Sequence, residues 1–334
     1  MKIILYTFIF LFSSILMFAQ PPFNGLGDGS KNNPYQIWTL DDLMELRDST
    51  KHIFSVWSQN KHFRLMQDIN DTLREMVCWF FEGHFYGGGH KINVAMIYNP
   101  PLSYDGGFFA QIGSGGSIDS LTLYGYGTDG VVIVGNISSS PNSTVINCTN
   151  NVDFHITYYD GGAGIVGFNL GATILNCVNN GSITGVDRIG GIVGENSGTV
   201  NNCLNNGRIT ATSWKANSSF SGVGGIIGTI ANYHGGVSNN INIGTIKGQG
   251  QVGGIIGSIR DLKSNPVTNN SNYGFVKGAN RVGGILGISI LGANITNNSN
   301  FGVVVGEEDT GCIVGRNNGG NISNNHYDKQ MCGE

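Results

Sequence analysis

The side chains able to do chemistry are few in this sequence, and their spacing does not favour catalysis. Its seven histidines are His52, His62, His84, His90, His155, His234 and His326. None falls in a His-Glu-x-x-His pattern, so the helix-borne zinc centre of a peptidase is absent. His84 and His90 flank Gly87-Gly88-Gly89, where a hairpin-like bend could juxtapose them. With no cysteine or carboxylate at ligand spacing beside them, they read as surface histidines rather than as metal ligands. A glycosidase needs two carboxyl groups facing each other within about 5–10 Å. Asp160, Asp187, Glu195, Asp261 and Asp328 share no position of the repeat that organises the chain, and Glu307-Glu308-Asp309 reads as a solvated turn. No Asp-x-Asp-x-Asp calcium loop and no local Ser-His-Asp or Cys-His signature occurs. The expectation is a non-enzymatic protein without catalytic residue, metal or cofactor.

Six cysteines invite a disulfide reading, but three of them fall at one position of a repeat. An isoleucine recurs at Ile133, Ile165, Ile192, Ile226, Ile255, Ile285 and Ile313, as in Gly190-Gly191-Ile192-Val193-Gly194. A second column consists of Cys148, Cys177, Cys203, Asn240, Asn270, Asn298 and Asn325. Both return about every 30 residues, a period that signals a solenoid. An aliphatic residue stands three positions before the second column (Val145, Ile174, Val200, Val237, Val267, Ile295, Ile322). An asparagine stands one before it (Asn147, Asn176, Asn202, Asn239, Asn269, Asn297, Asn324), and Asn150, Asn179, Asn205, Asn242, Asn272 and Asn300 stand two after. Asparagine tolerates a left-handed backbone, and its amide can bond the asparagine of the next coil. The pattern therefore predicts an all-β fold, a right-handed parallel β-helix with three short strands per coil. Cys148, Cys177 and Cys203 then read as stacked free thiols where later coils carry asparagine. A disulfide between adjacent coils is feasible but leaves the third cysteine unpaired. Cys312 replaces the second glycine of its Gly-Gly-Ile element, and Cys78 and Cys332 lie near opposite ends.

The elements before the repeat must close it. Tyr35 to Trp38 reads as a strand, and Thr39 as the N-cap of a short helix whose Leu40, Leu43, Met44 and Leu46 share a face. Such a helix would cover the open end of the stack. The aromatic residues Trp79, Phe80, Phe81, Phe85, Phe108 and Phe109 would fill the core beneath it. Met1-Lys2 and the apolar run Ile3 to Phe18 read as a secretory signal peptide cleaved after Ala19, and no later stretch is long and apolar enough to span a bilayer as a helix. The predicted organisation is a signal peptide at 1–19, a leader and cap at 20–75, and a solenoid at 76–334. Fifty-three glycines and 12% charged residues fit many tight turns, and a net charge of −4 shows no basic footprint for nucleic acid.

The runs Gly164-Ile165-Val166-Gly167, Gly191-Ile192-Val193-Gly194, Gly225-Ile226-Ile227-Gly228, Gly254-Ile255-Ile256-Gly257 and Gly284-Ile285-Leu286-Gly287 resemble the GLUG motif. That motif is named for glycine, leucine, a variable residue and glycine; here isoleucine replaces the leucine. Gly27-Asp28-Gly29-Ser30, Asn33-Pro34-Tyr35-Gln36-Ile37, the helix after Thr39 and Phe63 to Ile69 resemble the leader that precedes such repeats in surface proteins of Bacteroidota. The resemblance implies a secreted or cell-surface protein with an adhesin-like or spacer role and no active site in its repeats. It also leaves open an accessory region of a larger IgA-cleaving peptidase, a reading that the bare chain end at Glu334 allows. A carbohydrate-active β-helix enzyme is the other alternative. Binding residues are expected where the repeat is interrupted. The stretch from Cys203 to Ile226 is longer than in neighbouring coils, and its surplus contains Trp214, Lys215 and Phe220. These are the candidate contacts to a glycan or a host or cell-surface protein, made by a monomer.

Overall fold

Asparagine sets one corner of seven successive coils. Asn147, Asn176, Asn202, Asn239, Asn269, Asn297 and Asn324 all adopt φ between 54° and 59°, the left-handed region in which asparagine pays the smallest steric penalty after glycine. The turn at this corner sends the chain into the next strand, and repetition closes each coil over the one before. The structure, a computed structural model, describes residues 26–50, 57–97, 106–128, 132–138, 142–156, 161–212, 222–231, 235–260 and 266–332. It is a parallel β-solenoid with little helix.

One coil shows the path. Ile189–Gly190 leads through a bend at Gly191-Ile192 to Val193–Asn196, then Thr199–Asn201, then Leu204–Asn205 and Ile209–Ala211. Stacking these segments gives a first sheet of 11 strands (containing Thr199–Asn201) and a second of 9 (containing Val193–Asn196). The third has 15 (containing Leu204–Asn205 and Ile209–Ala211), and a fourth has five (containing Ile189–Gly190). The fourth sheet corrects the expectation of three strands per coil. It also corrects the reading of Glu307-Glu308-Asp309 as a loop, because Glu308–Gly311 is its last strand, paired in parallel with Asn280–Gly283. The sequence hides this sheet because its strands are only two to four residues long, each holding one β-branched residue before a glycine (Ile189, Val223, Val252, Val282, Thr310).

The helix spans Leu40–Ser49 with Thr39 as N-cap; the Thr39 hydroxyl accepts from the Asp42 N–H, and the Asp42 carboxylate accepts from the Thr39 N–H. Leu43 and Leu46 are buried, facing the strands Ile69–Leu73 and Cys78–Phe81 that begin the third and second sheets. The leader takes part in the solenoid itself: Tyr35–Ile37 opens the first sheet and pairs with His62–Leu65. Beneath the helix, Phe63, Phe81, Phe85, Phe108 and Phe109 are fully buried, with ring centroids 5.0–6.1 Å apart. Later coils replace these rings with isoleucine and valine.

The glycines next to the recurring isoleucine are where the coils approach most closely. A Cβ on Gly191 would lie 2.3 Å from the Gly225 carbonyl oxygen and 2.5 Å from the Asn205 amide oxygen, closer than atoms can sit. A Cβ on Gly194 would lie 2.5 Å from the backbone of Gly161, which crosses over it. The coupling of glycine and asparagine columns thus has a steric cause: the asparagine amide needs the space that a side chain would fill.

Candidate functional site

The inward polar side chains build scaffold. Asn150, Asn179, Asn205, Asn242, Asn272 and Asn300 form a buried ladder in which each amide donates to the next amide oxygen at 2.6–2.8 Å. Asn240, Asn270, Asn298 and Asn325 form a second ladder at 2.9–3.0 Å. Cys148, Cys177 and Cys203 continue that column as buried free thiols. Each thiol reaches the carbonyl two residues back (3.2–3.4 Å), as the Asn270 and Asn298 amides do. Burial, and then the flanking thiols, raise the Cys177 pKa, and burial pushes Cys78 up to about 12. Thiols held protonated in this way are poor nucleophiles. Cys312 and Cys332, by contrast, form a disulfide across 20 residues with Cα atoms 5.3 Å apart. Their separation in sequence concealed the pair, because only the coil geometry brings them together.

Outward positions differ from coil to coil, and function has to be sought there. On the third sheet, Leu204, Ile241, Ser271 and Ser299 share one column. One place beyond the asparagine ladder, Asn180 and Asn206 are joined by an exposed amide bond. In the next three coils the same place is taken by Ile243, Tyr273 and Phe301, exposed by 52%, 53% and 44%. The Tyr273 and Phe301 rings stack with centroids 5.1 Å apart. Ile241, Val303, Val305 and Tyr327 extend the exposed apolar surface, and Lys247 and Lys277 stand side by side in adjacent coils at its border. At this one place a column that is asparagine in three coils (Asn151, Asn180, Asn206) therefore becomes apolar and aromatic over the next three, and exposed apolar patches mark contact sites. The solenoid period contains this signal, but single exposed apolar residues in a sequence look unremarkable until the register aligns them.

The first sheet carries another grouping. His62 and His84 are register partners, with rings stacked 4.4 Å apart. Nδ1 of His62 lies 3.0 Å from the Tyr86 hydroxyl, and Nδ1 of His84 lies 2.7 Å from Ser117 Oγ. His90 pairs with Asp68 at 3.4 Å rather than with His84. The bend at Gly87–Gly89 carries His90 away, and the one-coil spacing of His62 and His84 was the usable signal. Among the described residues no group of three histidine, cysteine or acidic side chains is placed to hold a metal ion.

Both imidazoles are held below their ordinary pKa: His62 by burial, then by His84 and Lys31, and His84 by burial, then by Lys31. The unfolded chain therefore takes up protons that the folded chain resists as pH falls below about 6.5, so stability present above that pH is lost as pH drops toward the folded values. The melting temperature is expected to fall between about pH 7.5 and about pH 5. In a His62→Gln/His84→Gln double variant the fall should be smaller by roughly a few degrees. An identical fall in both proteins would remove these histidines from the account.

Two ion pairs sit at the corner between the second and fourth sheets: Arg188 bonds Glu195, and Arg316 lies 3.4 Å from Asp309. The same offset of seven residues recurs with reversed sign, which makes these ion pairs corner fasteners. Trp214, Lys215 and Phe220, the binding residues expected from sequence, lie outside the described residues, as does the expected signal peptide.

No family model matches the chain. It is 28% identical over 170 residues to "Halomucin" from Haloquadratum walsbyi, which covers 51% of this chain and only 2% of that much longer protein. Among solved structures it is similar to a "putative immunoglobulin A1 protease" from Bacteroides ovatus, with a TM-score of 0.55 and 18% identity. The match spans 89% of this chain and 86% of that one, and the likeness is one of fold: a β-solenoid of stacked repeats.

Proposed function

We propose that this chain is an exported, non-enzymatic β-solenoid of the cell surface that acts as a rigid adhesin-like module, binding through the outer face of its third sheet. The observation that carries this reading is the change of that face from an asparagine ladder to the exposed stripe of Ile243, Tyr273 and Phe301. Stacked rings on a scaffold braced by bonded asparagine ladders present a preformed apolar surface, so binding costs little ordering entropy. Export agrees with the apolar N-terminal run and with the Cys312–Cys332 disulfide, a bond that persists in oxidising compartments. The GLUG-like repeats support the same placement.

A panel of immobilised glycans and matrix proteins tests the reading, with polysaccharide turnover followed in parallel. The protein is expected to be retained on at least one surface without turnover. A Tyr273→Ser/Phe301→Ser variant should lose at least about tenfold in affinity, as expected when central aromatic contacts are removed. Equal retention of the variant would sink the assignment of the face, and turnover would sink the non-enzymatic reading.

A further inference from the structure

We propose that the outward face of the first sheet, at its helix-capped end, binds an acidic polysaccharide, with His62, His84 and Arg64 around one sugar carboxylate. This face is distinct from the apolar stripe of the third sheet, and its failure would leave that reading standing.

The argument starts from charge. His62 and His84 stack on adjacent coils, and Arg64 and Tyr86 are register partners on the same strands, with the Arg64 guanidinium 5.6 Å from the Tyr86 ring. Lys31, on the leader turn, is close enough to act electrostatically on both imidazoles. Four groups that are cationic or can become so are thus gathered on one small surface. The nearby acids keep their charge but are bonded to neutral donors elsewhere, and the charged groups that act on the imidazoles are their own pair and Lys31. Asp119, the register partner of Tyr86, accepts from Ser120 Oγ at 2.7 Å and from the Asn147 amide at 3.0 Å. Asp28 accepts from the Ser30 N–H at 2.9 Å within its own turn. Like-charged groups repel when gathered this way, and an anion supplied from outside relieves that repulsion.

The second observation identifies a polymer. The column that begins with His62 and His84 continues through Ser117, Thr144, Thr173 and Thr199 in register. These half-buried hydroxyls form a straight track, one per coil, at a spacing of about 4.8 Å. Hydroxyls can both donate and accept, which suits the hydroxyls of an extended sugar chain lying along the solenoid axis. The carboxylate of one residue would meet Arg64, whose fork matches it in two bonds, and the imidazoles would donate to the same anion once protonated.

The test uses the whole protein and three probes: a size-defined oligogalacturonate, a neutral cello-oligosaccharide and poly-glutamate. Binding is measured by calorimetry, and the imidazole signals of His62 and His84 are followed by NMR. The oligogalacturonate is expected to bind, to shift both imidazole signals, to move their titration to higher pH and to bind more tightly as pH falls. Arg64→Gln and His84→Gln should each weaken it at least about tenfold, with the melting temperature at pH 7.5 kept in the exposed Arg64 variant. Absence of oligogalacturonate binding, unchanged affinity in Arg64→Gln, or equal binding of the neutral oligosaccharide would overturn the proposal. Tighter binding of poly-glutamate would overturn the polysaccharide and assign the face to an acidic peptide.

Discussion

Gly254→Ala is expected to destabilise the folded array by about 3–5 kcal/mol, far more than a methyl group usually costs. The added Cβ would lie 2.1 Å from the Gly284 carbonyl oxygen and 2.4 Å from Cγ of Asn272. Neither neighbour can yield alone. The carbonyl belongs to the next coil, and the asparagine is held by bonds to the coils on both sides. Relief therefore requires coils to separate, and close packing turns that into lost contacts along the whole stack. The chain contains its own control. In the last coil the column of Gly191, Gly225, Gly254 and Gly284 changes to Cys312, and there Tyr327 replaces the buried asparagine as register partner of Asn300. With no amide to accommodate, the position carries a Cβ and the Cys312–Cys332 bond fastens the coil. Gly236→Ala gives the engineered comparison, because no atom lies within 4 Å of its added Cβ; a change within about 0.5 kcal/mol is expected. Urea unfolding read at several wavelengths would measure both, and similar midpoints for the two variants would refute the close-approach account.

The same pair of columns explains how much of the fold is legible in the sequence. The period, the strands around Val200 and Val237, the helix after Thr39 and the cysteine column all follow from local chemistry repeated at a fixed spacing. Repetition converts weak single-residue signals into a register. Cys312 and Cys332 meet only because the chain folds back at the end of the stack. The strand at Glu308–Gly311 keeps its sheet's period through Thr310 and Gly311, but one β-branched residue before a glycine is a weak strand signal. The stripe of Ile243, Tyr273 and Phe301 and the pair His62–His84 were legible in principle, since members of each are one coil apart. They were missed because inward positions obey the period strictly, whereas outward positions are free to vary, and variation looks like noise until it is aligned. The long insertion at Trp214 stands out in the sequence instead, because irregularity shows without alignment. Function on a solenoid can equally lie in the regular coils, at places where the outward residue changes while the inward one does not.

That division between fixed and variable columns yields the second large effect. Asn272→Ala is expected to cost about 3–5 kcal/mol, from several buried groups losing partners at about 1–3 kcal/mol each. The Asn272 amide donates to the Gly274 carbonyl at 3.0 Å and to Asn300 Oδ1 at 2.8 Å, and its oxygen accepts from Asn242 Nδ2 at 2.7 Å and from the Gly274 N–H at 3.1 Å. Alanine supplies none of these bonds, and the site is too closed for water to replace them, with Asn242, Asn272 and Asn300 all at 0% exposure. Asn206→Ala removes an amide bond of similar length, 2.6 Å to Asn180, but on the solvated face, so a loss below about 1 kcal/mol is expected. Asn270→Cys should fall between the two. Its column already holds Cys148, Cys177 and Cys203, whose thiols satisfy the carbonyl two residues back much as the amide does, whereas no described coil from Asn150 to Asn300 replaces the Asn272 column with a thiol. The order Asn272→Ala, Asn270→Cys, Asn206→Ala in loss of stability, measured by urea midpoints and by amide exchange in the flanking coils, is what buried ladders demand. Equal losses for the buried and the exposed asparagine would mean that stacking of the aliphatic columns, rather than amide bonding, holds the coils in register.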